Sequence, residues 1–196
     1  MEIIPYFCSK LFESPKAYMN NNNTDQHPLS RFRFCPVCGS SGFAVNDFKS
    51  KHCPACGFTY YANPSSATAA FILRDGCLLV ARRGKEPARG TLDLPGGFAD
   101  MGETAEEGMR REIMEETGLT VSSLAYLFSL PNRYLYSGMT IHTLDLFFRA
   151  DVPHDAEPHA ADDAAELMWV PLSQVRPSDF GLQSISTAVE RFLRLL

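Results

Sequence analysis

Gly97–Leu119 reads GFADMGETAEEGMRREIMEETGL, and these 23 residues decide the fold. Thr104 is a good helix N-cap, and Glu107 three residues later completes a capping box. Gly118 supplies the left-handed residue that ends a helix. The spacing therefore predicts a helix from Ala105 to Thr117. Side chains advance about 100° per residue around a helix. With Ala105 at zero, Met109 falls near about 40° and Ile113 near about 80°, forming an apolar stripe. Glu112, Glu116 and Glu115 fall near about −20°, 20° and −80°, sharing or bordering that stripe. Glu106, Glu107, Arg110 and Arg111 take the solvated side.

A helix with an acidic face is usually just solvated, but here the solvated face is already filled. Two carboxylates roughly 5–6 Å apart repel by about 3 kcal/mol at an effective dielectric near 20. Partial burial of three such groups needs a cation or raised pKa values. Hard carboxylate oxygens select Mg²⁺ or Mn²⁺. Divalent ions at such a site suit diphosphate hydrolysis, where they neutralise phosphate oxygens and orient water. Gly96 and Gly97 allow close backbone approach to the metal or the phosphate. Arg111 lies one turn from Glu107 and Glu115 and can pair with Glu103, a role that joins loop to helix.

On either side of this stretch, Ser66–Leu73 and Cys77–Arg83 read as strands around an Arg74-Asp75-Gly76 turn, a hairpin signal. Thr91–Leu94, Leu124–Phe128, Thr140–Ala150 and Glu166–Val170 read as further strands. Ile185, Ala188, Val189, Phe192 and Leu196 recur at helical spacing, predicting a terminal helix. Mixed strands and helices in this order point to an α/β sandwich.

Cys35-Pro-Val-Cys38-Gly and Cys53-Pro-Ala-Cys56-Gly stand fourteen residues apart. Paired CPxCG turns present four thiolates to Zn²⁺ in a closed, structural site. So small a region lacks the core to fold alone, and metal binding would stabilise it. Cys8 and Cys77 stand outside the motif; Cys77, at a strand start, reads as a small buried hydrophobe. Residues 1–30, with the Asn20–Asn23 run, read as a disordered or linker lead in which Met19 is an alternative start. Residues 31–62 form the ribbon and 63–196 the main domain.

The chain has 196 residues, 45% hydrophobic and 21% charged, with a formal net charge of −5. That balance argues against nucleic acid as the main partner, because counterion release favours a basic face. The group Arg82, Arg83, Lys85 and Arg89 suits a local phosphate contact instead. No stretch approaches the roughly 18–20 apolar residues of a membrane span, and the start lacks a signal-peptide pattern. Thiol pairs in CPxCG units indicate a reducing compartment, so a cytoplasmic location is expected.

The helix and its loop resemble the Nudix box: G, five residues, E, seven residues, R-E-U-x-E-E-x-G-U, with U bulky and aliphatic. Gly97, Glu103, Arg111, Glu112, Ile113, Glu115, Glu116, Gly118 and Leu119 meet every fixed position. The resemblance covers roughly residues 64–175. It implies a Nudix α/β/α sandwich with a mixed sheet and Mg²⁺-dependent hydrolysis of a nucleoside diphosphate linked to another moiety. It also implies Glu112 and Glu116 as metal ligands, with the Gly96 carbonyl as a third. Glu115 would be a further ligand or help to activate water. An acid from a later strand completes the site in related enzymes, and Glu166 matches best, against a plain surface role.

A zinc ribbon before such a domain resembles the NADH pyrophosphatase group. Its S-Q-P-W-P-F-P-x-S segment is met in part by Ser129-Leu-Pro131-Asn-Arg-Tyr134-Leu-Tyr136-Ser137. Asn132 replaces the tryptophan and Arg133 and Leu135 replace prolines, which puts dinucleotide specificity in doubt. Tyr134 or Tyr136 could stack on a base, and Arg82 and Arg133 could meet phosphate; either tyrosine could equally be core. Three functions stay open: hydrolysis of NADH, ADP-ribose or a relative; cleansing of oxidised nucleoside triphosphates or removal of an RNA cap; and non-catalytic sensing of a metabolite. The intact box argues against the sensor. The resemblance also implies a homodimer.

Overall fold

The computed structural model describes residues 27–136, 138–160 and 164–196. The expected lead falls outside the described residues up to residue 26, as do Cys8, Met19 and Ser137. The chain divides into two compact units, one ending at Ala62 and the other running Asn63–Leu196.

In the first unit β1 (Ala44–Asp47), β2 (Ser50–His52) and β3 (Thr59–Tyr61) form a three-stranded antiparallel sheet in the order β1-β2-β3. Its core is small: Cys35, Phe43 and Cys53 are buried, with Phe58 packed against them. Lys51 is nearly buried too, its Nζ donating to the Phe32 carbonyl at 2.7 Å.

The second unit is a seven-stranded mixed sheet between two helices, in agreement with the α/β/α expectation. Strands β4 (Ser65–Arg74) and β5 (Cys77–Arg83) form the expected hairpin. Asp75 and Gly76 turn the chain at φ 51° and 73°, the positive values a two-residue hairpin of the primed type requires. Next come β6 (Leu92–Asp93), β7 (Gly96–Phe98) and α1 (Ala105–Thr117), then β8 (Ser123–Tyr136), β9 (Met139–Asp151), β10 (Ala164–Pro171) and α2 (Gln183–Leu193). The main path is β10-β5-β4-β9-β8; β6 adds to β5 and β7 to β4. Among the described strands β4 and β9 pair in parallel, and the long connection such a pair needs carries α1.

Each sheet face has its own core. Met109 and Ile113 of α1 lie with Ala70, Ile72, Leu79 and Phe148. Ile185, Ala188, Val189 and Phe192 of α2 lie with Phe71, Val80, Phe128 and Phe147. Each large apolar side chain so buried contributes about 1.5–3 kcal/mol. Both caps of α1 form as the sequence indicates: the capping box is present and Gly118 is left-handed at φ 69°.

Three expectations need correction. Leu196 is exposed, because α2 ends at Leu193 and the helical stripe does not continue to the last residue. β7 reads as loop in the sequence, yet Gly96, Gly97 and Phe98 pair with Ala69, Thr68 and Ala67. β8 runs eight residues past its expected end at Phe128. Pro131 masks that extension, and it is tolerated because β8 is an edge strand, where a missing N–H costs no ladder bond.

Candidate active site and metal centres

The packing of β7 against β4 brings the glycine turn beneath α1. A Cβ on Gly96 would stand 2.1 Å from the Thr68 carbonyl oxygen, and one on Gly97 would stand 2.6–2.7 Å from the Glu112 carboxylate. These contacts, more than loop flexibility, are why both positions must lack a side chain. The Gly96 N–H donates to Glu116 Oε2 at 2.9 Å, so strand and helix carboxylate are joined directly.

Arg111 is the hub of the cluster. Its Nε donates to Glu103 Oε1 at 2.7 Å, its Nη1 to Glu112 Oε1 at 2.8 Å and Glu115 Oε2 at 3.0 Å, and its Nη2 to the Phe98 carbonyl at 3.0 Å. The hydrogen bond from Arg111 holds Glu103 below the usual carboxylate range, and Glu103 in turn raises the guanidinium. Glu112 behaves oppositely: burial pushes its carboxyl up despite Arg111, and its side chain is only 14% exposed. Glu115 is 49% exposed. One guanidinium thus hydrogen-bonds three carboxylates, with a fourth, Asp100, 3.8 Å from its Nε. That excess of negative charge is what a divalent cation offsets, and the donor set is the all-oxygen kind that Mg²⁺ and Mn²⁺ favour.

Beside Glu116 opens a cavity of about 300 Å³. Arg82, Arg83 and Lys85, the glycines 96 and 97, Phe98, Tyr134 and Tyr136 line it, with Asp93, Asn132, Thr143 and Asp145. Phe98 meets Tyr134 edge-on with ring centres 5.8 Å apart, and Tyr134 stacks on Tyr136 at 6.4 Å. Arg83 forms an ion pair with Asp93 and its Nε donates to the Pro87 carbonyl at 2.8 Å. Burial raises the Asp93 carboxyl although Arg83 opposes the shift.

Not every expected residue joins this site. Strand alternation turns Arg133 away from Asn132 and Tyr134, and it does not line the cavity. Glu166 is 58% exposed and bonds to Arg82 Nε at 3.2 Å, its register partner on β5. Conversely, Asp93, Thr143 and Asp145 belong to no motif in the sequence, and Asn132 is marked there only as the residue at the tryptophan position. The available signal was a carboxylate at Asp145 in the apolar alternation Leu144–Phe148.

In the first unit the four sulfurs of Cys35, Cys38, Cys53 and Cys56 lie within 4.8 Å of one another, the one such group among the described residues. Cys35 and Cys56 Sγ are 3.7 Å apart, as are Cys38 and Cys53 Sγ. A tetrahedron with Zn–S near 2.3 Å has edges of about 3.8 Å, so the spacing fits zinc. Gly39 and Gly57, at φ 74° and 76°, close the two knuckles by N–H bonds to the Cys35 and Cys53 carbonyls at 2.9 and 2.8 Å. Burial disfavours the Cys53 thiolate, but the amides of Cys56 and Ala55 outweigh it and bring the thiol to about 6. The Phe58 amide favours the Cys56 thiolate, yet the adjoining sulfurs push that thiol up to about 12. Four thiolates cannot share this space without a cation. Cys77 is partly exposed, its Sγ 3.8 Å from the Asp75 carbonyl, so the buried position expected for it is not observed.

Comparison with known proteins agrees with this geometry. The ADP-ribose pyrophosphatase of Methanocaldococcus jannaschii is 35% identical over 130 residues, covering 65% of this chain and 74% of that protein. The NAD-capped RNA hydrolase NudC of Chromobacterium violaceum is 39% identical over 97 residues, 50% of this chain. The chain spans 36% of that relative's length. A NUDIX hydrolase from Nitrosomonas europaea superposes with a TM-score of 0.65 at 21% identity, covering 83% of this chain and 90% of that one. The NUDIX domain of Shewanella oneidensis NrtR, solved with ADP ribose, gives a TM-score of 0.55 at 20% identity, over 74% and 94%. At such identities these two structures establish the fold. Among the described residues no helix is long and apolar enough to cross a membrane. The NUDIX domain matches residues 63–190, two thirds of the molecule and the whole of the site, and the chain belongs to that family.

Proposed function

We propose that the chain hydrolyses the diphosphate bond of a nucleoside diphosphate linked to another moiety, with ADP-ribose as the first substrate to try and NADH the next. The observation that carries this reading is Glu116, which binds the glycine turn and at the same time lines the cavity where Arg82, Arg83 and Lys85 converge. Glu112, Glu115 and Glu116 with the Gly96 carbonyl would hold Mg²⁺ or Mn²⁺, which when bound neutralises the diphosphate oxygens and acidifies water. The cavity cations receive the phosphates, and the aromatic side chains Phe98, Tyr134 and Tyr136 receive a base or ribose. Glu115 has room to accept the proton of the attacking water, since half of its side chain faces solvent. Water adds to one phosphorus, the bridging P–O bond breaks, and two phosphomonoesters leave; from ADP-ribose these are AMP and ribose 5-phosphate. Arg111 and Glu103 hold loop and helix together, and Glu166 positions Arg82. In the ribbon, Zn²⁺ on the four cysteines is structural.

NAD-capped RNA is a second reading, favoured by the NudC relatives and by Arg31, Arg33 and Lys49 in the ribbon against Asp47. The test is a panel of ADP-ribose, NADH, nucleoside triphosphates and NAD-capped RNA with Mg²⁺, products identified by mass. Glu116→Gln is expected to lower kcat on the best substrate at least about a hundredfold, as loss of a metal-site carboxylate does, without unfolding the protein. An active variant refutes the placement of the site. Tight ADP-ribose binding with no turnover of any compound would instead favour a sensor.

A further inference from the structure

The inner end of the cavity has a chemistry of its own, whose use in substrate choice rests on the proposed diphosphatase function. β8 and β9 pair with Leu130 opposite Asp145 and Asn132 opposite Thr143. Alternation places Asn132, Tyr134, Thr143 and Asp145 on one face, and all four line the cavity. Asp145 is 6% exposed and Thr143 4%, a carboxylate and a hydroxyl on the face that otherwise packs Phe147 under α2.

The protons around Asp145 are already committed. Thr143 Oγ1 donates to its Oδ1 at 2.6 Å, and Ser184 Oγ to its Oδ2 at 2.6 Å. A hydroxyl carries one proton, so Thr143 can only accept further, and both carboxyl oxygens of Asp145 already act as acceptors. This part of the floor therefore presents lone pairs alone. Beside it Asn132 spends its Oδ1 on the Arg133 N–H at 2.8 Å, which makes the amide nitrogen its donor end. Acceptors stand next to a donor, and the same cavity is lined by the aromatic rings Phe98 and Tyr134 and the apolar Leu182 and Ile185.

We infer that this floor selects substrates whose planar ring bears an amino group next to a hydrogen-bond acceptor, with Asp145 and Thr143 receiving the amino N–H groups and the Asn132 amide donating to the acceptor. The amino edge of adenine and the carboxamide of nicotinamide share that chemistry. Hypoxanthine inverts it, with a carbonyl where adenine has the amine, and a nicotinic acid carboxylate is repelled by Asp145. A tether from β9 to α2 through Ser184 would need no such selectivity, so the two roles separate experimentally.

The experiment measures kcat/KM on two matched pairs: ADP-ribose against IDP-ribose, and NAD⁺ against its deamido form. At least about tenfold preference for the aminated member is expected in one pair, the discrimination that one good two-point contact to a base edge supplies; which pair shows it identifies the ring seated on the floor. Asp145→Asn gains a donor in place of an acceptor and is expected to narrow that preference to within about threefold. Equal turnover within both pairs, or an unchanged preference in Asp145→Asn, overturns the inference and leaves the hydrolase standing. Failure to cleave any of the four compounds removes both. Should Asp145→Asn not fold, the wild-type comparison still decides, and Thr143→Val provides the second variant.

Discussion

Adjacent glycines in the turn before α1 should fail in different ways. A methyl group at Gly96 meets the Thr68 carbonyl oxygen at 2.1 Å and the Ala69 Cα at 2.8 Å, on a backbone at φ 155°. Both obstacles are backbone, so relief requires β7 to separate from β4. Overpacking costs about 1–3 kcal/mol and a strained backbone about 1–3 more, hence about 2–6 kcal/mol for Gly96→Ala. At roughly 4 °C per kcal/mol for a unit of this size, the Tm should drop by about 8–24 °C. The three atoms nearest a methyl group at Gly97 all belong to the Glu112 carboxylate, at 2.6–2.7 Å. Retreat of that carboxylate by about 0.8 Å relieves the clash, and a displacement near 1 Å in a catalytic constellation can cost about a hundredfold in rate. Gly97→Ala should therefore melt within a few degrees of wild type while its kcat falls by one to two orders of magnitude, roughly. Calorimetry and AMP release from ADP-ribose with Mg²⁺ provide the two readouts. Wild-type kcat in Gly97→Ala would refute the claim that the position of Glu112 matters, and an unchanged Tm in Gly96→Ala would refute the claimed backbone contact.

Three further outcomes are expected from the electrostatics. Glu112→Gln should abolish turnover yet melt no lower than wild type in chelator, because burial penalises the charged carboxyl that the amide replaces; a large loss of metal-free stability would contradict this. Glu103, held below its ordinary value of 4.5 by Arg111, contributes stability that is fully present above that value and is lost as pH falls through the lower folded value. Arg111→Ala should flatten this part of the stability curve below pH 4.5, as measured by urea titration across pH, and an unchanged acid limb would refute the coupling. Removal of Zn²⁺ by a chelator, or Cys53→Ser, should unfold the first unit, as seen in amide exchange of residues 27–62, while turnover of a small diphosphate changes less; lost turnover with an intact ribbon would count against a structural metal.

The acidic helix was legible in the chain because its determinants are neighbours along it. Thr104 and Glu107 cap one end, Gly118 the other, and Met109 and Ile113 form the stripe, all within the reach of helical hydrogen bonds and 3.6-residue periodicity. The four cysteines were legible for the same reason, since each CPxCG turn closes on itself. Arg82 and Glu166, by contrast, lie 84 residues apart and meet only because β10 is hydrogen-bonded to β5. The length of β8 depended on its place at the sheet edge, which no property of Pro131 reveals.

Taken alone, the sequence determined the carboxylate-bearing helix, its glycine turn, the thiolate knuckles and an α/β class, because each is encoded by short-range spacing and local backbone preference. The tertiary structure decided which residues face one another across the cavity. Asp93, Asn132, Thr143 and Asp145 come from three different strands, and their shared surface arises from strand order and register, which are set by long-range pairing and by the burial of two separate core faces.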